Sequence, residues 1–302
     1  MVMIERKSKM PEISVLITTY NQEKYIAQAI ESVLKQIDCP DFEIIIGNDC
    51  SSDDTLKICE EYREKYPDLI TIYSYESNKG MLGNLRFCFS KCKGRYIAIC
   101  EGDDYWIDPH KLKKQYEKLS GDTDSLFCFT DIKLKYEKSG KFKRHIPEIK
   151  NLLGEKFTIK QQIELGGPVG NFSCCMIKKE GLGHIPDSYY EHKGNADWLF
   201  FLYLLDVADG IFIKDICSVY RIHKNGTWSG LSEKELMLAN LEVCLYYNKL
   251  FSSKYIDSFM TFFQTLFGYS NNQDGKKPLF SFSFPVSKKK KLLFELARLK
   301  KR

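Results

Sequence analysis

Three polar clusters, each placed at the end of an apolar β-rich run, constrain this chain more than any other feature. Residues 13–19 lead into Thr18-Thr19-Tyr20-Asn21, residues 42–46 into Asn48-Asp49, and residues 96–100 into Glu101-Gly102-Asp103-Asp104. Between these runs lie helical patterns. Ile26, Ala29, Ile30, Val33, Leu34 and Ile37 recur at helical spacing behind Asn21 as a cap. Ser51-Ser52-Asp53-Asp54 reads as a capping box before Cys59, Tyr62 and Tyr66. A third strand over 69–75 precedes a helix carrying Leu85, Cys88, Phe89 and Cys92, which Gly94 is expected to close. Such alternation predicts parallel βαβ units with helices on both faces. Ligands bind such sheets beyond the carboxyl ends of the strands, so the three clusters should meet on one rim. The expected fold class is α/β: a mostly parallel central sheet flanked by helices, with a C-terminal helical extension.

The second half is less regular. Residues 125–134 read as a strand, 135–154 as a polar excursion, and Gly166-Gly167-Pro168 as a tight turn. Residues 172–177 read as a strand, 197–207 as a buried helix and 211–222 as one or two strands. From about residue 232 the pattern is helical, with a Lys/Pro/Phe-rich break at 271–285. The expected division is 1–231 for the α/β domain that carries the rim and 232–302 for the helical extension and its basic tail.

The rim carries acids rather than a phosphate loop. No Gly-x-Gly-x-x-Gly or Gly-x-x-x-x-Gly-Lys follows the first strand, which argues against dinucleotide chemistry and ATP or GTP hydrolysis. Clustered carboxylates hold a diphosphate only through a divalent cation, for which Mg²⁺ or Mn²⁺ is suited. That arrangement favours departure of a phosphate-type leaving group. The alternative is a solvated turn, since Gly-Asp-Asp is also good turn chemistry.

Charge and cysteine usage narrow the setting. Of the formal charge of +5, the last fifteen residues carry eight cations against Glu295, leaving the body near neutral. Leu292, Leu296 and Leu299 share a stripe in that tail, which suits either adsorption to an anionic membrane or a solvated terminus. No basic patch around aromatics stands out elsewhere, so nucleic acid is not an expected partner. The 11 cysteines contain no Cys-x-x-Cys pair and read as reduced thiols. The polar start and the short apolar run at 198–205 show neither a leader nor a span, as a crossing helix takes roughly 20 apolar residues. The expected location is cytoplasmic, with peripheral contact at the cytoplasmic face of the inner membrane.

Ser14 through Asn21, Glu43 through Asp53 and Glu101 through Trp106 resemble successive signatures of family 2 glycosyltransferases of the GT-A fold, and the likeness extends over about residues 11–230. The resemblance implies inverting transfer of a hexose-type sugar from a UDP- or dTDP-sugar to a hydroxyl of a glycan or lipid-linked glycan. It implies that Thr18, Tyr20 and Asp49 hold the nucleoside, with Asp49 accepting from the base imide. Asp103 matches the metal ligand, Glu101 and Asp104 the flanking nucleotide-side positions that face the ribose, metal or sugar, and Asn78 and Asn84 a stretch near the base or ribose. Asp197 matches the catalytic base, although Ala196 stands where an acid usually precedes it. An aspartate in a first helical turn also stabilises the helix dipole without any catalytic role. His223, in Tyr220-Arg221-Ile222-His223, matches a late loop and would ligate metal or phosphate, or be a surface group. Trp106 and Trp228 would wall a sugar ring or belong to the core. Two rival readings are a sugar-1-phosphate nucleotidyltransferase, which lacks its basic glycine-rich loop here, and a non-catalytic binding protein on a degenerate scaffold.

Overall fold

Strand β1 (Ile13–Thr19) lies between β2 (Phe42–Asn48) and β4 (Tyr96–Ile99), parallel to both, and β3 (Ile70–Ser74) extends the parallel run beyond β2. The chain is described by a computed structural model over residues 10–145, 149–191, 196–224, 226, 242 and 244–266. β1 is buried on both faces, as its nearly continuous apolar sequence requires. Val15 and Ile17 face Ile26, Ala29, Ile30 and Val33 of α1 (Ile26–Leu34), while the intervening Leu16 is equally buried on the other face. Helix α2 (Thr55–Lys65) packs beside α1, and α3 (Gly80–Lys91) packs against β1 and β2. Burying one such Ile or Val contributes on the order of 2 kcal/mol, which fixes the register of the whole parallel half.

Beyond β4 the sheet departs from simple alternation. Its order is β3-β2-β1-β4-β9-β6-β10-β5, with β5 (Tyr105–Trp106), β6 (Phe127–Tyr136), β9 (Cys175–Lys178) and β10 (Gly210–Ile222). β9 runs antiparallel to β4 and β6, so β6 and β10 regain the direction of β1. The sheet is therefore mixed but mostly parallel. The segment 172–177 opens as a 3₁₀ turn over Phe172–Cys174 before becoming β9. The expected polar excursion over 135–154 contains β7 (Lys141–Arg144), which returns antiparallel on β6, and just beyond it β8 (Lys156–Phe157) pairs with β10. Helices α4 (Lys111–Ser120), α5 (Ile149–Leu152), α6 (Ile159–Glu164) and α7 (Ala196–Leu205) complete this stretch.

Three local expectations change. Asn21 does not cap α1, which has no side-chain cap; it sits at φ 51°, and its Oδ1 accepts the Ser52 N–H at 2.8 Å. The loops that follow β1 and β2 are thereby tied together. Asp54 at the start of α2 makes no capping bond; Asp53 instead accepts from Thr55 N–H at 3.0 Å. Gly94 does not close α3, whose cap is Cys92. A Cβ at Gly94 would stand 2.5 Å from the Ser14 nitrogen, so glycine there permits close approach to β1.

The chain divides into two compact units, Met1–Thr158 with Val169–Gly230, and Ile159–Pro168 with Leu231–Arg302. Within the second unit α6 packs on α8 (Ile256–Leu266). There Gly166, at φ +73°, leaves room for Phe262, which an added Cβ would approach to 2.8 Å. Among the described residues no helix is long and apolar enough to cross a membrane. Trp228, the 271–285 break and the 288–302 tail lie outside the described residues.

Candidate active site

The turn after β4 is pinned to the end of β1. Gly102 N–H donates to the Thr18 carbonyl at 2.9 Å, and Asp104 N–H to the Glu101 carbonyl at 2.9 Å. A Cβ on Gly102 would lie 2.4 Å from Gln22 Oε1, so this approach also needs glycine. The turn splits its acids by direction. Asp104 is 1% exposed; its Oδ1 accepts Arg221 N–H at 2.9 Å and its Oδ2 accepts the Asn171 amide. Glu101 Oε2 accepts from Asn171 Nδ2 at 3.0 Å and Ser173 Oγ at 3.4 Å, while its N–H donates to Ser173 Oγ at 2.9 Å. Burial, then the charges of Asp197 and Asp104, push the Glu101 carboxyl well above its ordinary range. Burial and then Asp103 do the same to Asp104.

Asp103 is the outward member. Its Oδ2 lies 3.0 Å from His223 Nε2, and its backbone carbonyl accepts from the Arg221 guanidinium. Arg221 is 2% exposed, lies 3.2 Å from Glu137 Oε1, and sits over the rings of Tyr25 and Tyr105. His223 in turn packs at 5.0 Å on Tyr25. Strand β10 and the residue that follows it thus bring a buried cation and an imidazole to Asp103.

Asp49 stands at the other end of the cleft. Thr19 O accepts its N–H at 2.9 Å, and its own Oδ1 accepts Lys79 N–H at 2.7 Å. Asn78 donates to the Asp49 carbonyl at 3.0 Å and accepts from Gly80 N–H at 2.9 Å. Asn84 donates to Gly47 O at 2.8 Å and accepts from Tyr75 Oη at 3.0 Å. Both asparagines therefore brace the Asp49 loop. Thr18, Tyr20, Asp49, Asn84, Glu101 and Asp103 are among the residues lining a cleft of about 260 Å³. A larger depression of about 600 Å³, lined by Lys93, Arg95, Lys178 and Lys179, lies at the opposite strand ends. Its Lys93 is occupied by Glu43, and Lys178 and Lys179 by backbone carbonyls.

Asp197, in the first turn of α7, accepts from Phe172 N–H, and burial pushes its carboxyl up to about 7. Its charge is also the first electrostatic influence on Glu101, so the two share one region.

The donor set fits a divalent cation of a particular kind. Among the described residues no group of three His, Cys, Asp or Glu converges as a ligand cluster. Asp103 and His223 supply two donors, which suits Mg²⁺ or Mn²⁺ completing its shell with phosphate and water. Glu101 and Asp104 are engaged elsewhere, and Asp104 is absent from the cleft lining, contrary to its expected nucleotide role. Trp106 is 4% exposed and donates Nε1–H to Ser173 O at 3.0 Å, placing it in the core. Sequence reasoning missed Asn171 and Ser173. Their one signal is a polar pair at the start of an apolar strand, which in an antiparallel strand is the end that reaches the rim.

The model of the family described as Glycosyl transferase family 2 matches residues 14–185. The chain is 36% identical over 124 residues to a putative teichuronic acid biosynthesis glycosyltransferase, TuaG, of Bacillus subtilis, covering 41% of this chain and 48% of that protein. It is 37% identical over 107 residues to the poly(ribitol-phosphate) beta-N-acetylglucosaminyltransferase TarS of Staphylococcus aureus, covering 34% of this chain and 18% of that protein. The chain thus spans less than half the length of these curated relatives. The structure of TarS residues 1–349 with UDP-GlcNAc superposes with TM-score 0.65 at 20% identity, over 95% of this chain and 81% of that one. A mannosyltransferase of Pyrobaculum calidifontis, solved with GDP-Man and Mn²⁺, gives TM-score 0.58 at 15% identity, over 96% and 81%. These superpositions establish the shared fold.

Proposed function

The chain belongs to glycosyl transferase family 2, and from that premise we propose inverting, metal-assisted transfer of a hexose-type sugar from a UDP- or dTDP-sugar to a hydroxyl of a glycan or lipid-linked glycan. The observation that carries the reading is the 3.0 Å approach of Asp103 to His223 in a turn whose cleft ends at Asp49. Asp49 keeps one carboxylate oxygen beyond its bond to Lys79, and a carboxylate accepting from the imide N–H of uracil or thymine gains charge-assisted strength. Tyr20, 49% exposed at the rim, offers a ring face to the base.

Asp103 and His223 would hold a divalent cation, whose charge offsets that developing on the departing diphosphate. Arg221 holds the Asp103 backbone in place from beneath. Asp197 would take the acceptor hydroxyl proton. A carboxyl lifted to about 7 by burial is a stronger base than an ordinary aspartate and still deprotonates near neutral pH. UDP is favoured by the ligand of the TarS structure, and an acidic surface-glycan acceptor by the names of TuaG and TarS. We place the reaction on the cytoplasmic side, with the basic tail as a peripheral membrane contact.

The test is a thermal-shift panel of UDP, dTDP, GDP and CMP derivatives with and without Mn²⁺, because binding free energy adds to apparent stability. UDP or dTDP should stabilise the protein in a Mn²⁺-dependent way, and Asp103→Ala should abolish the effect. Intact Mn²⁺-dependent UDP affinity in that variant would sink the assignment, and preference for GDP would overturn the donor.

A further inference from the structure

The β6–β7 hairpin concentrates positive charge where the sequence reading saw no basic patch. Lys133, Lys135, Lys138, Lys141, Lys143 and Arg144 fall within twelve positions that hold one acid, Glu137. Register places Lys133 opposite Arg144 and Lys135 opposite Phe142. Like charges directly opposite weaken a strand pair, so stability alone does not account for this pattern. Lys135 is paired with Glu137 at 2.8 Å, and Arg144 with Asp131 at 3.5 Å. Among the described residues, Lys133, Lys138, Lys141 and Lys143 have no carboxylate within 4.0 Å. Phe142 stands among them 52% exposed.

This hairpin rises from the strand ends that carry the site. Lys135 pairs in register with Arg221 and Tyr136 with Ile222, one residue before His223. Glu137 N–H donates to the Ile222 carbonyl at 3.1 Å, and Glu137 Oε1 is 3.2 Å from Arg221 Nε. A ligand lying along the hairpin therefore ends beside Asp103 and His223.

We propose that this hairpin seats a polyanionic acceptor, a linear glycan bearing a phosphate or carboxylate on its repeating units. The proposal deepens the transfer reading and rests on it for the word acceptor. Alternate residues of a strand stand about 7 Å apart, so Lys141 and Lys143 present charges at a repeat that such a chain can follow. Phe142, in register with Lys135, lies on the opposite face from Lys141 and Lys143 and offers an aromatic surface to a sugar ring there. Cross-strand partners share a face, so Lys133 lies on one side of the hairpin and Lys141 and Lys143 on the other. Lys141 and Lys143 share their face with Tyr136, over whose ring Lys143 lies, and Tyr136 is in register with Ile222. A chain seated on these lysines therefore runs toward His223, whereas a lipid surface has no reason to follow that line.

The test uses the full chain with polygalacturonate and linear inorganic polyphosphate as probes, neutral dextran as control, and phosphatidylglycerol vesicles as the competing surface. The triple substitution Lys138→Ser, Lys141→Ser and Lys143→Ser should weaken binding of both polyanions about tenfold at low salt, as three exposed ion pairs are worth together. Its affinity for UDP with Mn²⁺ should stay unchanged, and the corresponding three Lys→Arg changes should retain polyanion binding. Because the basic tail also attracts polyanions, Phe142→Trp supplies a local reporter whose emission should shift on saturation with either polymer. The reporter also decides the matter if the triple variant fails to fold. A silent reporter, unchanged polyanion affinity, an equal loss of UDP affinity, or a response to vesicles alone would each overturn the proposal. Failure of the transfer reading shows separately, as UDP binding indifferent to Asp103→Ala.

Discussion

Nε2 of His223 lies 3.0 Å from Oδ2 of Asp103, bringing together the end of β10 and the turn after β4 across 120 positions of sequence. The contact depends on where β10 ends. Two irregularities in its pairing with β6, between Ile213 and Ser218, set that point. If the pair holds a cation, His223→Ala removes one of two protein donors. Mn²⁺ affinity in the presence of UDP, followed by electron paramagnetic resonance, should fall at least about tenfold. An unchanged titration would leave His223 as a packing partner of Tyr25.

Asn171 bridges two carboxylates with one amide nitrogen, reaching Glu101 and Asp104 together. Asn171→Ala leaves the carboxyls of Glu101 and Asp104 near each other with that donor removed. The expected cost is about 1–3 kcal/mol, read as a lower midpoint in urea unfolding. Asn171→Asp should cost more, since a third carboxylate adds repulsion to the lost donor. Stability equal to the parent in both variants would remove the bridge from the account.

The parallel half was legible because β1, β2 and β4 are buried on both faces and therefore read as unbroken apolar runs. Asp49 and Asp103 were legible because strand direction alone sends the following residues to one rim. What stayed hidden was the antiparallel insertion. β9 is four residues long and follows a 3₁₀ turn, too short for its direction to show in periodicity. Asn171 could not be paired with Glu101 and Asp104 without it, since the partners are 70 and 67 positions apart. Nor does adjacency in sequence distinguish Asp103 from Asp104. The Arg221 N–H, delivered by β10, and the Asn171 amide together turn Asp104 inward. β7 escaped because its Lys-Phe-Lys-Arg sequence lacks the apolar alternation of a half-buried strand.

Two glycines should fail for different reasons. Gly94→Ala places a Cβ 2.5 Å from the Ser14 nitrogen and 2.6 Å from the Ile13 carbonyl carbon, backbone atoms in the central strand that cannot swing aside. A loss of about 1–3 kcal/mol follows from overpacking. Gly80→Ala meets nothing within 4 Å, but its φ of +75° is unfavourable for a side chain, so about 1 kcal/mol is expected. Thermal melts of the two variants should rank Gly94→Ala as the less stable.

Asp122 gives a pH signature away from the site. Burial alone would raise its carboxyl, but Lys156 and the N–H groups of Ser125 and Asp124 outweigh it and hold it at about 2. The folded value lies below the unfolded one of about 3.9, so the contribution is complete above that pH and is lost as pH falls through about 2. Lys156 is 49% exposed, and solvent screening reduces the pair to about 1 kcal/mol. Asp122→Asn should therefore lower stability at neutral pH and flatten its acid dependence in that window. Parallel acid curves for variant and parent would contradict this.

Asp197 should show its role through the direction of a pH profile. Burial lifts its carboxyl to about 7, and the charge of Asp103 adds to the lift. A base works only when deprotonated, so activity should fall as pH drops through the working value. Positive charge arriving beside Asp103 removes one cause of the elevation, which should move the midpoint below about 7 in the cation-loaded protein. Carboxyl ¹³C NMR of the cation-free protein should then place Asp197 near 7 and show it shift downward on adding Mg²⁺ and UDP. Asp197→Asn should cost at least about 100-fold in turnover while UDP affinity is retained. An aspartate serving only the α7 dipole would leave turnover nearly intact, because such a charge contributes about 0.3–1 kcal/mol to stability and nothing to proton removal.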